Sequence, residues 1–489
     1  MKKHGRKWLS LLLTGTLVLT FSAGCADQKG GVSLDPREPV TINVWHYYNG
    51  AQKTAFDQLI NEFNESVGRE KGIIVEGVNQ GSVSKLTEAI IDSAQNKVGT
   101  DPVPNIFAAY ADTAYQIDAL GLVADLGQYL TDEEIGEYIP AYIDEGRLRA
   151  DGKLKIFPTA KSTEIFMLNK TDWDRFSSAT GASLDALSTI EGLVQTAEAY
   201  YNWTDAQTPG LPDDGKAFFG RDAMANYFII GARQLGCEIF SVDGNQVTFH
   251  LDEAVFRKLW DHYYVPYIKG YFTANGRFRS DDAKVGDLIA LVGSSTSATY
   301  FPTAVNTNDE DSYPIETLVL PAPTFAGGEN FAVQQGAGMV VTTSTPQKEY
   351  ASVVFLKWFT EAERNLRFSS LSGYLPVKKE ANDIARLETA LSVIDQKDVT
   401  ENLRASLRVA VDTVNQASLY TNKAFQGGTD ARNVLETSLS DKAAADRLAI
   451  RDKIGSGVSR AAAVAQYDND ENFQAWFSSL KRALDESIK

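Results

Sequence analysis

An open α/β architecture is predicted by this sequence from three observations. Strand-like and helix-like patterns alternate from residue 40 onward. Hydrophobic residues make up 43% of the 489, which is enough for large cores. Beyond the first 24 residues, no apolar run reaches the roughly 20 residues that span a bilayer. Alternation of this kind builds sheets with crossover helices.

The elements follow in order. In "PVTINVWHYY", Val40, Ile42 and Val44 alternate with polar residues, which reads as a strand. Ala55, Phe56, Leu59, Ile60 and Phe63 then fall on one helical face. Gly72 precedes a second strand, "IIVEGV", and "SKLTEAIIDSAQ" is the next helix. "VPNIFAAY" is a short buried strand, and Gly121 ends the helix "TAYQIDALG". In "RADGKLKIF", Asp151-Gly152 reads as a turn between short strands. Ile165 to Leu168 is a strand core, and "VDGNQVTFH" is a hairpin. "GAGMVVTTS" is a strand, "KEYASVVFLKWFTEAERNLRF" one long amphipathic helix, and the chain from Ala381 onward is mostly helical.

The N-terminus has its own logic. Lys2, Lys3, Arg6 and Lys7 precede an apolar run from Trp8 to Phe21, the pattern of an export signal. Ser22-Ala23-Gly24-Cys25 resembles a bacterial lipobox, although that motif usually has Leu where Ser22 stands. The resemblance implies cleavage after residue 24 and lipid on Cys25. Residues 25–39, rich in Gly, Pro and charge, then read as a flexible tether to the membrane. The only other cysteine, Cys237, lies among apolar residues and is expected as a small buried hydrophobe.

The charge narrows the function. The 47 basic and 64 acidic residues give −17, and four of the basic residues precede Cys25, so the chain from there stands at −21. That argues against a nucleic-acid partner, which needs a basic surface. The four histidines include no H-E-x-x-H pair, and "YDNDENF" lacks the glycine of a calcium loop. Tyr47-Tyr48, Tyr200-Tyr201 and Tyr263-Tyr264 suggest tyrosinate-bound iron, but neighbours on a strand point to opposite faces. No G-x-S-x-G, P-loop or Cys–His pairing is present. No metal, cofactor or catalytic centre is expected; a secreted carbohydrate-active enzyme is the weaker competing class.

Four stretches together resemble the extracellular solute-binding proteins of carbohydrate-type ABC importers. They are "INVWHYYNG" with "FDQLINEFNE", "PNIFAAYADTAYQIDALGLVADL", "DGKLKIFPTAKSTEIFMLNK", and "GAGMVVTTSTPQKEYASVVFLKWF" with "LSGYLPVKKE". The resemblance implies a two-lobed periplasmic-binding-protein-like fold, with crossing segments as a hinge and a ligand cleft between the lobes. It puts lobe I at 40–157 plus 330–374 and lobe II at 158–329 plus 375–489. It further implies a monomer that captures a mono- or oligosaccharide outside the cell and hands it to a membrane permease.

In open α/β sheets, ligands sit beyond the carboxyl ends of the strands. That rule selects Trp45, His46, Tyr47 and Tyr48, then Asn79, Gly81 and Ser82, then Tyr110 and Asp112. Lys161, Ser162, Thr163 and Glu164 sit at the first crossing, and Ser294 and Ser295 follow an apolar strand. The resemblance adds Gln335, Gly336, Gly338 and Tyr374, and Trp203 as a stacking aromatic in lobe II. Carboxylates, amides and hydroxyls suit sugar hydroxyls, and flat rings suit sugar C–H faces. The alternative ligand is glycerol-3-phosphate or a glycerophosphodiester, for which Lys161, Arg277, Arg279 or Lys423 would supply positive charge.

Overall fold

The computed structural model describes residues 31–244, 246–307, 311–394 and 399–489. The signal segment and Cys25 lie outside the described residues.

In chain order the strands are β1 (Val40–His46), β2 (Ile73–Asn79), β3 (Ile106–Ala109), β4 (Glu164–Asn169) and β5 (Phe219–Arg221). A hairpin of β6 (Phe240–Asp243) and β7 (Gln246–Phe249) precedes β8 (Ala290–Ser294). Then come β9 (Ala304–Asn306), β10 (Ser312–Pro314), β11 (Thr317–Pro321), β12 (Phe331–Val333), β13 (Gly338–Val341) and β14 (Ser418–Tyr420). Two four-stranded sheets dominate, ordered β13-β3-β1-β2 and β11-β4-β8-β5, and each is the centre of one lobe. In the first, β2 and β3 run parallel to β1 and β13 runs antiparallel to β3.

Burial explains the sequence patterns. In the first lobe, the Gly50–Phe63 helix buries Ala55, Phe56, Leu59, Ile60 and Phe63 against the sheet. Asn64, just beyond it, bonds both backbone groups of Val75 through its side-chain amide, and so fixes the helix to β2. In the second lobe every residue of β4 is buried. Phe166 and Leu168 join one core while Ile165 and Met167 join another on the opposite face. A sheet covered on both faces reads as a continuous apolar run, which is what "IFML" is.

The chain changes lobe three times. Ala160 belongs to the first-lobe core and Ile165 to the second lobe; Val333 belongs to the second lobe and Ala337 to the first. At the third passage Tyr374 and Val377 pack in the first lobe and Leu375 in the second. The crossing expected at 330 therefore comes later, because β12 pairs with β14 and packs in the second lobe. The crossings hold one another: Ser162 and Gln335 exchange backbone hydrogen bonds of 2.8 and 3.0 Å, and Lys161 N–H donates to the Leu375 carbonyl at 3.1 Å.

Three other expectations are corrected. Val32 and Leu34 pack against the first-lobe core, so the tether does not run to residue 39. Residues 149–157 form no hairpin; Gly152 turns, but Lys155 N–H donates to Gly146 and Phe157 bridges to Met339 across the lobe. The long helix after residue 345 is two, Pro346–Phe359 and Ala362–Ser372.

Candidate ligand-binding cleft

The carboxyl ends of β1 and β3 and the start of β13 face the carboxyl ends of β5 and β8 across the crossings. β1 leads into Tyr47 and Tyr48, and β3 into Tyr110. Tyr47, half-buried, lies beside the hydroxyls of Tyr110 and Tyr374 and beside the Ala337 backbone. Burial first, and a neighbouring phenol second (Tyr374 for Tyr47, Tyr47 for Tyr110, Tyr48 for Tyr374), hold all three above the ordinary tyrosine value, so they stay protonated donors. Tyr110 keeps 40% of its surface exposed, which makes it the open aromatic face of the first lobe.

The second lobe contributes a connected polar chain. Arg221, at the end of β5, donates to Glu164 at 2.8 Å, and both are buried. The Asn226 amide donates to Glu164 at 2.9 Å and to the Gln335 side chain at 2.9 Å. Arg432 in turn donates to the Asn226 side-chain oxygen. Local structure sets these positions. Arg432 and Glu436 lie one turn apart on the Gly428–Gly455 helix and so share a face. Glu436 accepts from the N–H groups of Met224 (3.1 Å) and Ala225 (2.8 Å), capping the Met224–Gln234 helix that carries Asn226.

Asp112 closes the gap between lobes. Its Oδ1 sits where a side chain on Gly428 would meet it at 2.3 Å. Burial raises its carboxyl to about 6, against the opposing pull of Arg432 and the Phe425 backbone. Arg432 forms no ion pair with any carboxylate among the described residues, although its charge acts on Asp112 nearby.

Other expected site residues have structural employment. His46 is fully buried, accepts from Tyr48 N–H at 3.2 Å and packs on Phe56; burial lowers it to about 4, so it is a neutral core histidine. Trp45 is 6% exposed and belongs to the first-lobe core. Trp203 packs on Phe176 and Tyr200, which meets Phe218 at the end of the lobe II sheet remote from the crossings, so it offers no face to the cleft. Lys161 is buried against Glu145 and donates to the Gly336 carbonyl at 2.7 Å. It locks two crossings and offers no charge to a phosphate. Arg279 is buried against Asp282, Arg277 stacks on Phe278, and Lys423 is exposed.

Ser82 caps the Val83–Ala94 helix at Lys85 N–H, 3.2 Å. Ser294 caps the turn after β8, and Ser295 donates to the Gly373 carbonyl at 3.1 Å, tying lobe II to the third crossing. Ser162 and Gln335 pair by backbone, and the Thr163 hydroxyl is buried without a partner. Gly336 has a φ of +95°, and a Cβ there would lie 2.9 Å from the Ala160 carbonyl, so only glycine fits the crossing. Arg221, Asn226 and Arg432 are absent from the sequence reading. No motif marks them; Arg221 ends a three-residue strand, and Arg432 is one of many charges on a long helix.

A family profile described as bacterial extracellular solute-binding protein matches residues 58–392. No curated protein matches the chain. Among solved structures, the cyclic alpha-maltosyl-1,6-maltose binding protein of Arthrobacter globiformis superposes with a TM-score of 0.65 at 18% identity, covering 92% of this chain and 99% of that one. UgpB from Mycobacterium tuberculosis, solved with glycerophosphocholine, gives 0.63 at 19% identity, covering 92% and 100%. The GacH receptor of Streptomyces glaucescens, solved unliganded and with acarbose, gives 0.61 at 13% identity, covering 91% and 98%. With the profile spanning more than half of the chain and the two-lobed architecture in place, this protein belongs to the bacterial extracellular solute-binding proteins.

Proposed function

We propose that the chain is the receptor of an ABC importer and that it captures a neutral carbohydrate between its lobes. The observation that carries this reading is the cleft's chemistry. Three protonated tyrosines, one with an open face, stand opposite a carboxylate–amide–guanidinium chain. Aromatic faces suit sugar C–H surfaces, and the polar chain suits hydroxyls. The ligand-contacting set is Tyr47, Tyr110, Asp112, Glu164, Asn226, Gln335, Tyr374 and Arg432. Lobe I is 32–160 plus 337–374, lobe II is 165–333 plus 378–489, and the segments 161–164, 334–336 and 375–377 between them are the hinge. Lipid on Cys25 holds the receptor at the outer membrane face, close to its permease. The ligand is released unchanged.

Binding is tested by calorimetry with a panel of maltooligosaccharides, cyclic tetrasaccharides and glycerophosphocholine. A neutral sugar should bind with an affinity that is nearly independent of salt, since no ion pair is there to screen. Arg432 favours a second reading, a glycerophosphodiester, because it is a cation without a carboxylate partner in the cleft. That ligand should lose affinity steeply as salt rises. A panel in which only the phosphodiester binds, with Arg432→Ala abolishing binding, replaces the first reading with the second.

A further inference from the structure

The second lobe contains a cavity of about 600 Å³ to which no residue of the first lobe contributes. It lies between the β4–β8–β5 part of the sheet and the helices 190–205, 224–234 and 253–268. Leu193, Phe219, Ile230, Phe272, Val292 and Phe325 form buried apolar walls. Protein interiors pack like organic crystals and contain few voids larger than a water. A recess of this size has room for a small molecule. It falls within the range of about 300–1,000 Å³ that small-molecule sites occupy.

Polar groups line the cavity throughout, Gln234 and His262 among them, and two sets bear most on an occupant. Deep inside, Glu164 is closed by Arg221 and Asn226, while Thr163, 1% exposed, has a hydroxyl with no partner. At the rim stand Asp185 and Asp412, both exposed, and neither carboxylate forms an ion pair among the described residues. The only lysine or arginine lining the cavity is Arg221, which Glu164 already holds. The walls select an apolar body, and the rim selects a positive charge.

We infer that this cavity is a second ligand site, which takes an amphiphilic cation with its apolar body inside the lobe and its ammonium at the Asp185 and Asp412 rim. The cavity shares its deep wall, Glu164 and Asn226, with the cleft, while its apolar body lies within the second lobe alone. Deep in the cavity, the Thr163 hydroxyl and the Glu164 cluster sit on the first crossing, so an occupant touches the hinge from the side of lobe II.

Calorimetry of the purified protein with decyltrimethylammonium and decanoate, each below its micelle concentration, tests this. The two probes share a ten-carbon chain and differ in the sign of the head. The cation should bind at one per chain and at least tenfold tighter than the anion. Ile230→Trp, which puts an indole into the cavity between its apolar walls, should weaken the cation at least tenfold. Asp185→Asn with Asp412→Asn changes only exposed side chains, so it keeps the test open if Ile230→Trp does not fold; it should abolish the preference for the cation. No binding at 1 mM, equal binding of the two probes, several probe molecules per chain, or an undiminished preference in the double aspartate variant would each overturn the assignment.

Discussion

His46 is held neutral by the core, and its titration is legible outside the cleft. Its folded value of about 4 lies below the ordinary 6.5, because burial penalises the imidazolium. Between those values the unfolded chain binds a proton that the native chain does not. The stability is therefore full above pH 6.5 and is lost as pH falls toward 4, by about 3 kcal/mol at that limit. Nitrogen-15 NMR of the imidazole should show a neutral ring at pH 5; a titration centred near 6.5 would contradict its burial. Trp203 makes the complementary prediction. Trp203→Ala should cost about 2 kcal/mol of stability, since it removes ring packing against Phe176 and Tyr200, and should leave ligand affinity unchanged. A tenfold loss of affinity would restore it to the cleft. Strand-end position selected Tyr47, Tyr110 and Asp112, and crossing position selected Glu164, all of which the proposed cleft retains. The same rule could not separate Tyr47 from His46, because which of two adjacent side chains faces the core depends on what packs behind the strand.

The elements were legible wherever periodicity met one dominant face. β1, β2 and their helices follow the alternation of Val40, Ile42 and Val44 and the spacing of Phe56, Leu59 and Phe63. Legibility failed where tertiary contacts override a local pattern. The apolar stripe runs through residues 346–372 without interruption, yet the helix breaks after Phe359. There Thr360 bonds Tyr138 and the Leu356 carbonyl, both at 2.8 Å, and so turns toward a distant segment. Asp151-Gly152 carries a turn signal, but its flanks bond Gly146 and Met339 instead of each other. Gly336 is the element-scale test. Its φ of +95° and its approach to the Ala160 carbonyl mean that Gly336→Ala strains the crossing and should destabilise by about 1–3 kcal/mol in urea unfolding. Gly81→Ala, at φ +87° with nothing closer than 3.7 Å, should cost less. Equal costs would show that the crossing relaxes freely.

At the scale of the molecule, two lobes meet through three crossings, through the 362–372 helix packed on the 384–392 and 401–416 helices, and through Asp112 against the start of the 428–455 helix with Arg432 beside Tyr110. Such an arrangement supports hinge closure on a ligand, with the first lobe supplying rings and the second the polar chain. Ligand at a hundredfold excess over its Kd should add about 2.7 kcal/mol of stability. The two-lobed plan was legible from the order of four weak motifs, while Arg432 was not, because its role exists only once the lobes face each other. Small-angle scattering of the protein with and without a saturating oligosaccharide tests cleft capture most directly. The account predicts a smaller radius of gyration on binding, with both the binding and the contraction lost in a Tyr110→Ala, Arg432→Ala double variant. An oligosaccharide that binds one per chain with no contraction, or that binds the double variant as tightly as the wild type, would contradict it.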